Sequence, residues 1–295
     1  MSASAFAPAK VNLYLHVGPP GADGFHPLES LMVFADVGDE VSMGSEPGSA
    51  LSLTGPFAGA LDPGANLVLQ AARRLAQRLG RGASPQALVL DKRLPVAAGL
   101  GGGSADAAAT LRLLNHAWGD PLSGDELEVL AADLGSDVPA CIRSRPVTAT
   151  GRGELLSPGP DLPWLSSVLV NPGLACPTGE VYRAFDAAGR FGDLSPASGP
   201  PNGSGAIGVA GWLSGLRNDL EAPAISVTPR VATVLERLRA APETLLARLS
   251  GSGATCFALC RDAAAADRLA RVLADEHPGW WVRACRLGAA LDPIP

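Results

Sequence analysis

The segment Leu94-Pro-Val-Ala-Ala-Gly-Leu-Gly-Gly-Gly-Ser-Ala-Asp106 decides the fold of this 295-residue chain. Four of its glycines fall between Gly99 and Gly103, after a strand-like run at Ala87–Leu90 and before a helical pattern over Ser104–His116. Glycines let the backbone approach a ligand closely, and a helix N-terminus adds unpaired N–H groups and partial positive charge. The segment therefore predicts an anion-binding loop sized for the phosphates of a nucleotide.

Two familiar phosphate-binding patterns are absent from this loop. It contains no GxxxxGK[ST], and its glycines do not follow GxGxxG with an acidic residue placed for a ribose. The Ser104 hydroxyl is a candidate ligand of Mg²⁺ or of a phosphate oxygen. The structural alternative is a glycine turn capped by serine, but the strand–loop–helix context favours phosphate binding.

The first half of the chain reads as mixed strands and helices. Apolar and polar residues alternate over Val11–Val17, which predicts a half-buried strand with Lys10 and Asn12 on its non-core face. Asn66 is placed to cap a helix that stops at Gly80. Further elements are expected as short strands at Glu29–Phe34 and Glu40–Met43, and as a helix after the capping box Ser123–Glu126.

The second half begins at a proline-rich stretch, Pro158–Pro163, which suggests domains over residues 1–160 and 161–295. Strand and helix patterns alternate after it, with helices expected at Pro229–Ala240 and Ala263–Ala274. Ala188–Gly215 is rich in Gly, Pro and Ser and predicts a long loop. The predicted class is α+β in two domains.

Composition excludes several classes of protein. Net charge is −6, without the basic face that a duplex nucleic-acid binder carries. No apolar stretch approaches the roughly 20 residues that span a bilayer, and the N-terminus does not resemble a signal peptide, so a cytoplasmic location is expected. The five cysteines are scattered and form no CxxC pair, which disfavours zinc and disulfides.

A phosphoryl transfer needs a group that positions or deprotonates the acceptor hydroxyl. Asp137, in Gly135-Ser-Asp-Val-Pro139, follows a predicted helix stop and precedes a proline-constrained turn. Lys10 is one of only two lysines in the chain, the other being Lys92. An Asp–Lys pair would keep the carboxylate ionised beside the reacting oxygens. Taken singly, Asp137 is better explained as a cap or turn residue and Lys10 as a surface lysine.

Another glycine cluster, Gly251-Ser-Gly-Ala-Thr255, precedes a predicted strand. A hairpin or a β-bulge explains it without any function.

Together with Ala7–Leu13 and Leu94–Asp106, this cluster resembles the GHMP kinase superfamily in order and spacing. Further segments resemble its members in bacterial isoprenoid synthesis by the non-mevalonate (MEP) pathway; they are Ala22–His26, Gly135–Pro139, Asn171-Pro172, Pro177-Thr178 and Asn218–Glu221.

That resemblance implies ATP-dependent phosphorylation, with Mg²⁺, of the 2-hydroxyl of a cytidine-diphosphate-linked methylerythritol. It implies Asp137 as base and Lys10 as its catalytic partner, with Asn12 placing the acceptor. His26 would bind the cytosine edge, with Phe25 and Tyr182 stacking on the ring. The ATP phosphates would be held by Pro95, Val96, Ala97, Ala98, Gly99, Leu100, Gly101, Gly102, Gly103, Ser104 and Ala105.

The implied fold is the two-domain GHMP kinase fold, with a ribosomal protein S5 domain 2-like N-terminal domain and a ferredoxin-like C-terminal domain. Four features depart from the family pattern. Phe25 stands where tyrosine is frequent, and Cys141-Ile142 follows the Asp137 loop where bulkier apolar or aromatic residues are common. The segment Ala188–Gly215 matches poorly, and Pro19-Pro20 replaces a position that is often basic. A charge for the substrate diphosphate must then come from elsewhere. The alternatives are a mevalonate-type or homoserine-type kinase and a regulatory nucleotide-binding protein; a nicotinamide-dependent dehydrogenase is disfavoured.

Overall fold

The computed structural model describes residues 3–44, 51–62, 64, 66–82, 87–194, 196–288 and 290–291. The strands among them are β1 (Ser4–Val17), β2 (Leu28–Met43), β3 (Leu51–Thr54), β4 (Leu88–Asp91), β5 (Val147–Thr150), β6 (Leu155–Pro158), β7 (Leu165–Asn171), β8 (Thr244–Leu249), β9 (Cys256–Cys260) and β10 (Trp281–Leu287). The α-helices are α1 (Leu67–Arg78), α2 (Gly102–Ala117), α3 (Gly124–Ala132), α4 (Val138–Arg143), α5 (Thr178–Ala188), α6 (Ala206–Ser214), α7 (Glu221–Val227), α8 (Arg230–Arg239) and α9 (Ala263–Glu276). None of these helices is long and apolar enough to cross a membrane.

The first half is organised around the long antiparallel pair of β1 and β2. β2 also pairs with β4 and β5, β3 lies parallel to β4, and β6 pairs with β5. The prediction of two short strands at 29–34 and 40–43 is wrong, because one strand runs through both. Gly38, which lies between the two predicted strands, is opposite the β1 bulge, where a Cβ atom would collide with the backbone of Ala7 and Pro8.

The second half forms an antiparallel array in the order β10-β7-β9-β8. It joins the first half where Leu287 of β10 pairs with Ala35 of β2. Helix α8 packs against β8 and β9, and helix α9 packs against β7 and β10. Each helix buries its apolar stripe against these strands. The α+β class is confirmed, and the division near residue 160 stays a prediction.

The prediction of a loop throughout Ala188–Gly215 is wrong, because α6 lies within it. Its buried face is formed by Val209, Ala210 and Leu213. The end of the helix is stabilised by a side chain from a distant segment: the Arg248 guanidinium donates to Leu213 O in the last turn at 2.8 Å and to Leu216 O, two residues beyond the helix, at 2.6 Å. A helix stabilised by a side chain more than 30 residues away leaves little signal in its own sequence.

The polar face of β1 is also buried, which corrects the prediction of a half-buried strand. Lys10, Asn12 and His16 are all at most 5% exposed. The glycine segments of the two halves cover this face, as described below.

Candidate active site

One cavity of about 1220 Å³ opens between these glycine segments and the β1–β2 pair. It exceeds the roughly 300–1,000 Å³ of a typical small-molecule site, so it has room for two ligands. The sequence-predicted residues that line it are Lys10, Asn12, Phe25, His26, Pro95, Val96, Ala97, Ala98, Gly99, Gly101, Gly102, Gly103, Ser104, Asp137 and Tyr182. Leu100 and Ala105 are buried and lie behind the cavity wall.

The phosphate loop and the segment 251–255, both rich in glycine, converge on β1. The backbone N–H of Lys10 donates to Leu100 O at 2.8 Å, and that of Thr255 donates to Ala98 O at 3.0 Å. The Ser250 hydroxyl donates to Gly99 O at 2.9 Å and accepts from the N–H of Asn12 at 3.2 Å. The segment 251–255 is therefore the hairpin turn between β8 and β9, and it also buttresses the phosphate loop.

The helix after the loop begins two residues earlier than predicted. Gly101 is its N-cap, with a φ of +60°, and Gly102 is its first residue. Ser104 is consequently the third residue of α2 rather than its head. Its hydroxyl still lines the cavity, and the N–H groups of the first turn, which lack intrahelical partners, lie beside it.

Lys10 and Asp137 form an ion pair at the centre of the cavity. Lys10 Nζ lies 3.0 Å from Asp137 Oδ2 and donates to Asn12 Oδ1 at 2.9 Å. Asp137 occupies the N-cap position of α4, yet its side chain makes no capping hydrogen bond. The carboxylate is turned towards Lys10 instead. A Cβ atom on Gly101 would lie only 3.0 Å from Lys10 Cε, so the phosphate loop passes directly against the pair.

Two buried networks hold this pair in place. Asn12 Nδ2 donates to Ser30 Oγ at 2.7 Å, which fixes the amide that faces Lys10. Arg112 of α2 donates to Cys141 O of α4 at 2.7 Å and to Phe6 O of β1 at 2.9 Å. Burial lowers the pKa of Arg112 to about 10, so it is still charged at neutral pH. The helix that carries Asp137 is thereby tied to the strand that carries Lys10.

Sequence reasoning missed a second charged cluster on the cavity wall. Lys92 Nζ lies 2.6 Å from Asp39 Oδ2 and 2.7 Å from Asp106 Oδ2, and all three side chains are at most 3% exposed. Asp39 Oδ1 also accepts from the N–H groups of Arg93 and Leu94, at 2.6 and 2.8 Å. The cluster therefore fixes the residue at which the phosphate loop begins. The scarcity of lysine was its only sequence signal.

Charge and burial oppose each other in this cluster. Burial alone would lower the pKa of Lys92, but attraction to Asp106 and Asp39 outweighs it and raises that pKa. Burial raises the pKa of the Asp106 carboxyl against the attraction of Lys92, and the charge of Asp39 adds to the rise. Asp106 Oδ1 is buried without a hydrogen-bond partner. Two carboxylates share one ammonium, so the cluster carries one negative charge when both are ionised.

The other end of the cavity is aromatic. His26 Nδ1 lies 2.8 Å from Gly18 O, and its ring centroid lies 5.2 Å from that of Tyr182. The Phe25 side chain is exposed. His26 Nε2 faces Asp186 Oδ1 at 3.0 Å, a contact that the sequence did not suggest. Burial, followed by the charge of Asp137, raises the pKa of Tyr182 to about 12, so its phenol stays protonated and neutral at neutral pH.

Family comparisons cover both halves of the chain. Residues 66–145 match the GHMP kinases N terminal domain, and residues 206–279 match the GHMP kinases C terminal domain. A 4-diphosphocytidyl-2-C-methyl-D-erythritol kinase of Caulobacter vibrioides is 52% identical over 289 residues, covering 97% of this chain and 100% of the relative.

Solved structures agree with the sequence relatives. A crystal structure of 4-(cytidine 5'-diphospho)-2C-methyl-D-erythritol kinase superposes with a TM-score of 0.77 at 34% identity, covering 97% of this chain and 100% of that one. A homoserine kinase from Cytophaga hutchinsonii superposes with a TM-score of 0.66 at 19% identity, covering 98% and 95%. The second likeness concerns the fold alone.

Proposed function

Because the chain belongs to the 4-diphosphocytidyl-2-C-methyl-D-erythritol kinase family of the GHMP kinases, we propose that it transfers the γ-phosphoryl group of ATP to the 2-hydroxyl of that cytidylyl substrate. This reaction is a step of the non-mevalonate route to isoprenoid precursors. The observation that carries the proposal is the Lys10–Asp137 pair, 3.0 Å apart beside the first turn of α2.

The two charged groups suit a transfer between oxygens. The Asp137 carboxylate accepts a hydrogen bond from the acceptor hydroxyl and takes its proton as the phosphorus–oxygen bond forms. The Lys10 ammonium lies 3.0 Å from that carboxylate and offers positive charge to the reacting oxygens. Asn12, held by Ser30, restricts the ammonium to this position. The bond between the γ-phosphorus and the oxygen that bridges it to the β-phosphate breaks, and ADP leaves.

The two ends of the cavity receive the two nucleotides in this proposal. Loop residues 95–104 and the α2 N-terminus hold the ATP phosphates through backbone N–H groups, while Leu100 and Ala105 anchor the loop in the core. Phe25, His26 and Tyr182 receive the cytosine. A nucleobase stacks on aromatic faces at little conformational cost.

Mg²⁺ fits the site as a partner of ATP. Among the described residues no group of three or more His, Cys, Asp or Glu side chains is placed to hold a metal ion. Mg²⁺ at kinase sites is bound through one or two protein oxygens together with substrate phosphates and water. The Ser104 hydroxyl is the proposed protein ligand, and the ion would neutralise charge on the phosphates.

The direct test is a phosphorus NMR assay with ATP, Mg²⁺ and 4-diphosphocytidyl-methylerythritol, with mevalonate and homoserine as parallel acceptors. A new phosphomonoester signal is expected with the cytidylyl substrate alone. Asp137→Asn should lower kcat by about 10²- to 10⁴-fold and leave ATP affinity unchanged. Asp133→Asn, an exposed carboxylate on α3 away from the cavity, is the control. Equal rates in wild type and Asp137→Asn would contradict the role of Asp137.

The alternative of a regulatory nucleotide-binding protein predicts ATP binding without turnover of any acceptor. The intact Lys10–Asp137 pair argues against it. The domain limits 1–160 and 161–295 and the cytoplasmic location stay predictions from the sequence.

A further inference from the structure

Four lysine and arginine side chains of the described residues line the cavity: Lys10, Lys92, Arg152 and Arg183. The two lysines are buried and bound to carboxylates. The two arginines are exposed and lie at the aromatic end, one against Phe25 and the other next to Tyr182 in the chain. A cation available to a second ligand must therefore come from an arginine.

Arg152 is held in place by a built turn. It lies between Gly151 and Gly153, whose φ values of +69° and +105° shape the turn between β5 and β6. Gly151 O accepts from the N–H of Leu28 at 2.8 Å, and the N–H of Arg152 donates to Glu154 Oε2 at 2.6 Å. The turn is thus attached to the start of β2, two residues after His26.

The Arg152 side chain covers one face of the predicted cytosine-stacking residue. Its guanidinium carbon lies 4.2 Å from the Phe25 ring centroid, a cation–π contact. The same guanidinium pairs with Asp23, whose Oδ1 accepts from the N–H of Phe25 at 3.0 Å. Arg152 therefore covers one face of the Phe25 ring and, through Asp23, is tied to the loop that carries it. The other face of the ring is the one proposed to stack on the base.

The proposed substrate carries two ionised phosphates between its cytidine and its reactive alcohol. With the base at Phe25 and the alcohol at Asp137, the diphosphate lies between these residues. The loop that carries Phe25 offers no charge at Pro19-Pro20. The Arg152 guanidinium, which lies against Phe25, is the cation beside this loop.

We propose that Arg152 binds the diphosphate of the cytidylyl substrate while its guanidinium holds Phe25 for stacking on the cytosine. This inference rests on the proposed function. A guanidinium offers two parallel N–H donors to phosphate oxygens. Its present partner, Asp23, is about half exposed, and such surface ion pairs contribute little to stability, so exchange of the carboxylate for a phosphate costs little.

Arg183 is the competing candidate. It lies on α5, and its Nε donates to Gly179 O at 3.2 Å within its own helix. No aromatic ring among the described residues contacts its guanidinium, so nothing there positions it over the base site. Arg183→Ala therefore serves as the comparison within the cavity, and Arg145→Ala, an exposed arginine that does not line the cavity, serves as the control.

Steady-state kinetics with both substrates form the first test. Arg152→Ala should raise the KM for the cytidylyl substrate about 10- to 100-fold, the value of a lost charge-assisted hydrogen bond. The KM for ATP and kcat should change less than about threefold, because Lys10, Asp137 and the phosphate loop are untouched. Arg152→Lys should recover part of the loss, since an ammonium keeps the charge but not the paired donors. A rise in the KM for ATP instead would assign Arg152 to the other nucleotide and overturn the proposal.

Calorimetric binding of CDP and of cytidine separates the phosphate contact from the ring contact. Arg152→Ala should weaken CDP binding by at least about tenfold and cytidine binding by less than about threefold. Equal losses for both ligands would mean that Arg152 acts only through Phe25, and no loss for either would remove it from the site. Absence of wild-type turnover would refute the proposed function, while the CDP and cytidine comparison would still judge Arg152.

Discussion

Asp39 and Asp106 share one buried ammonium, yet their replacement by asparagine should have very different consequences. Asp39 uses both oxygens: Oδ1 accepts from the N–H groups of Arg93 and Leu94, and Oδ2 accepts from Lys92. An asparagine has one oxygen, so in either orientation its amide N–H₂ group faces another donor. Asp106 uses only Oδ2, and its Oδ1 has no partner. An asparagine there keeps its oxygen on Lys92.

These contacts set the magnitudes. Removal of one partner from a buried ion pair costs about 3–5 kcal/mol. In Asp39→Asn, the new amide NH₂ group also faces either two backbone N–H groups or the Lys92 ammonium, all of which are donors. At about 1.6 °C per kcal/mol for a chain of 295 residues, the Tm should fall by about 5–8 °C. Asp106→Asn keeps an oxygen on Lys92, and at pH 5, below the raised pKa of the Asp106 carboxyl, its free energy of unfolding should stay within about 1 kcal/mol of wild type.

The two variants should also differ in pH dependence. Burial raises the pKa of Asp106 from 3.8 to about 7, so between these values the folded protein binds this proton more strongly than the unfolded chain. The contribution of this group to stability is therefore present at low pH and is lost as pH rises through that window. Asp106→Asn removes this loss, and its stability relative to wild type should be greater at pH 8 than at pH 5.

Urea unfolding followed by tryptophan fluorescence at pH 5, 6.5 and 8 measures the free energies of unfolding and their pH dependence. Thermal unfolding measures the Tm, and Asp133→Asn is the exposed control in both experiments. The reasoning would be refuted if Asp106→Asn lost as much stability as Asp39→Asn. It would also fail if wild type and Asp106→Asn showed the same slope of stability against pH.

Two further changes test the rest of the site. Gly101→Ala puts a Cβ atom 3.0 Å from Lys10 Cε at a φ of +60°, so kcat should fall at least about tenfold, and backbone strain should cost about 1–2 kcal/mol of stability. The control Gly211→Ala, whose Cβ atom meets nothing within 4 Å, should leave kcat unchanged. The same kcat for Gly101→Ala and wild type would contradict the argument from close packing. Asp186→Ala removes a half-exposed carboxylate that competes with the cytosine for His26 Nε2, so the KM for the cytidylyl substrate should fall by up to about fivefold. A higher KM would instead show that Asp186 orients the imidazole for the base.

The sequence predicted those parts of the site whose signal is local. The glycine loop, the Asn66 cap and the Ser123–Glu126 capping box depend on residues a few positions apart, and the caps form as expected. The match to a known family supplied the pairing of Lys10 with Asp137, which a separation of 127 positions in the chain conceals from any local pattern.

What escaped prediction depends on contacts between distant segments. β8 has no clean period-two pattern, and α6 is finished by Arg248 from β8. The Lys92 cluster joins β2, the end of β4 and α2, which only the folded sheet brings together. The same applies to Arg152, whose meaning comes from its contact with Phe25 across 127 residues.

The two lysines of this arginine-rich chain share one physical requirement. Each places a compact charge where a glycine of the phosphate loop passes closely: a Cβ atom on Gly101 would lie 3.0 Å from Lys10 Cε, and one on Gly102 would lie 3.0 Å from Lys92 Nζ. A planar guanidinium needs more room and a fixed fork of partners, whereas an ammonium bonds carboxylates from two directions. Scarcity of lysine therefore marks both the reacting centre and the support of the loop, because both require charge in the space beside a glycine.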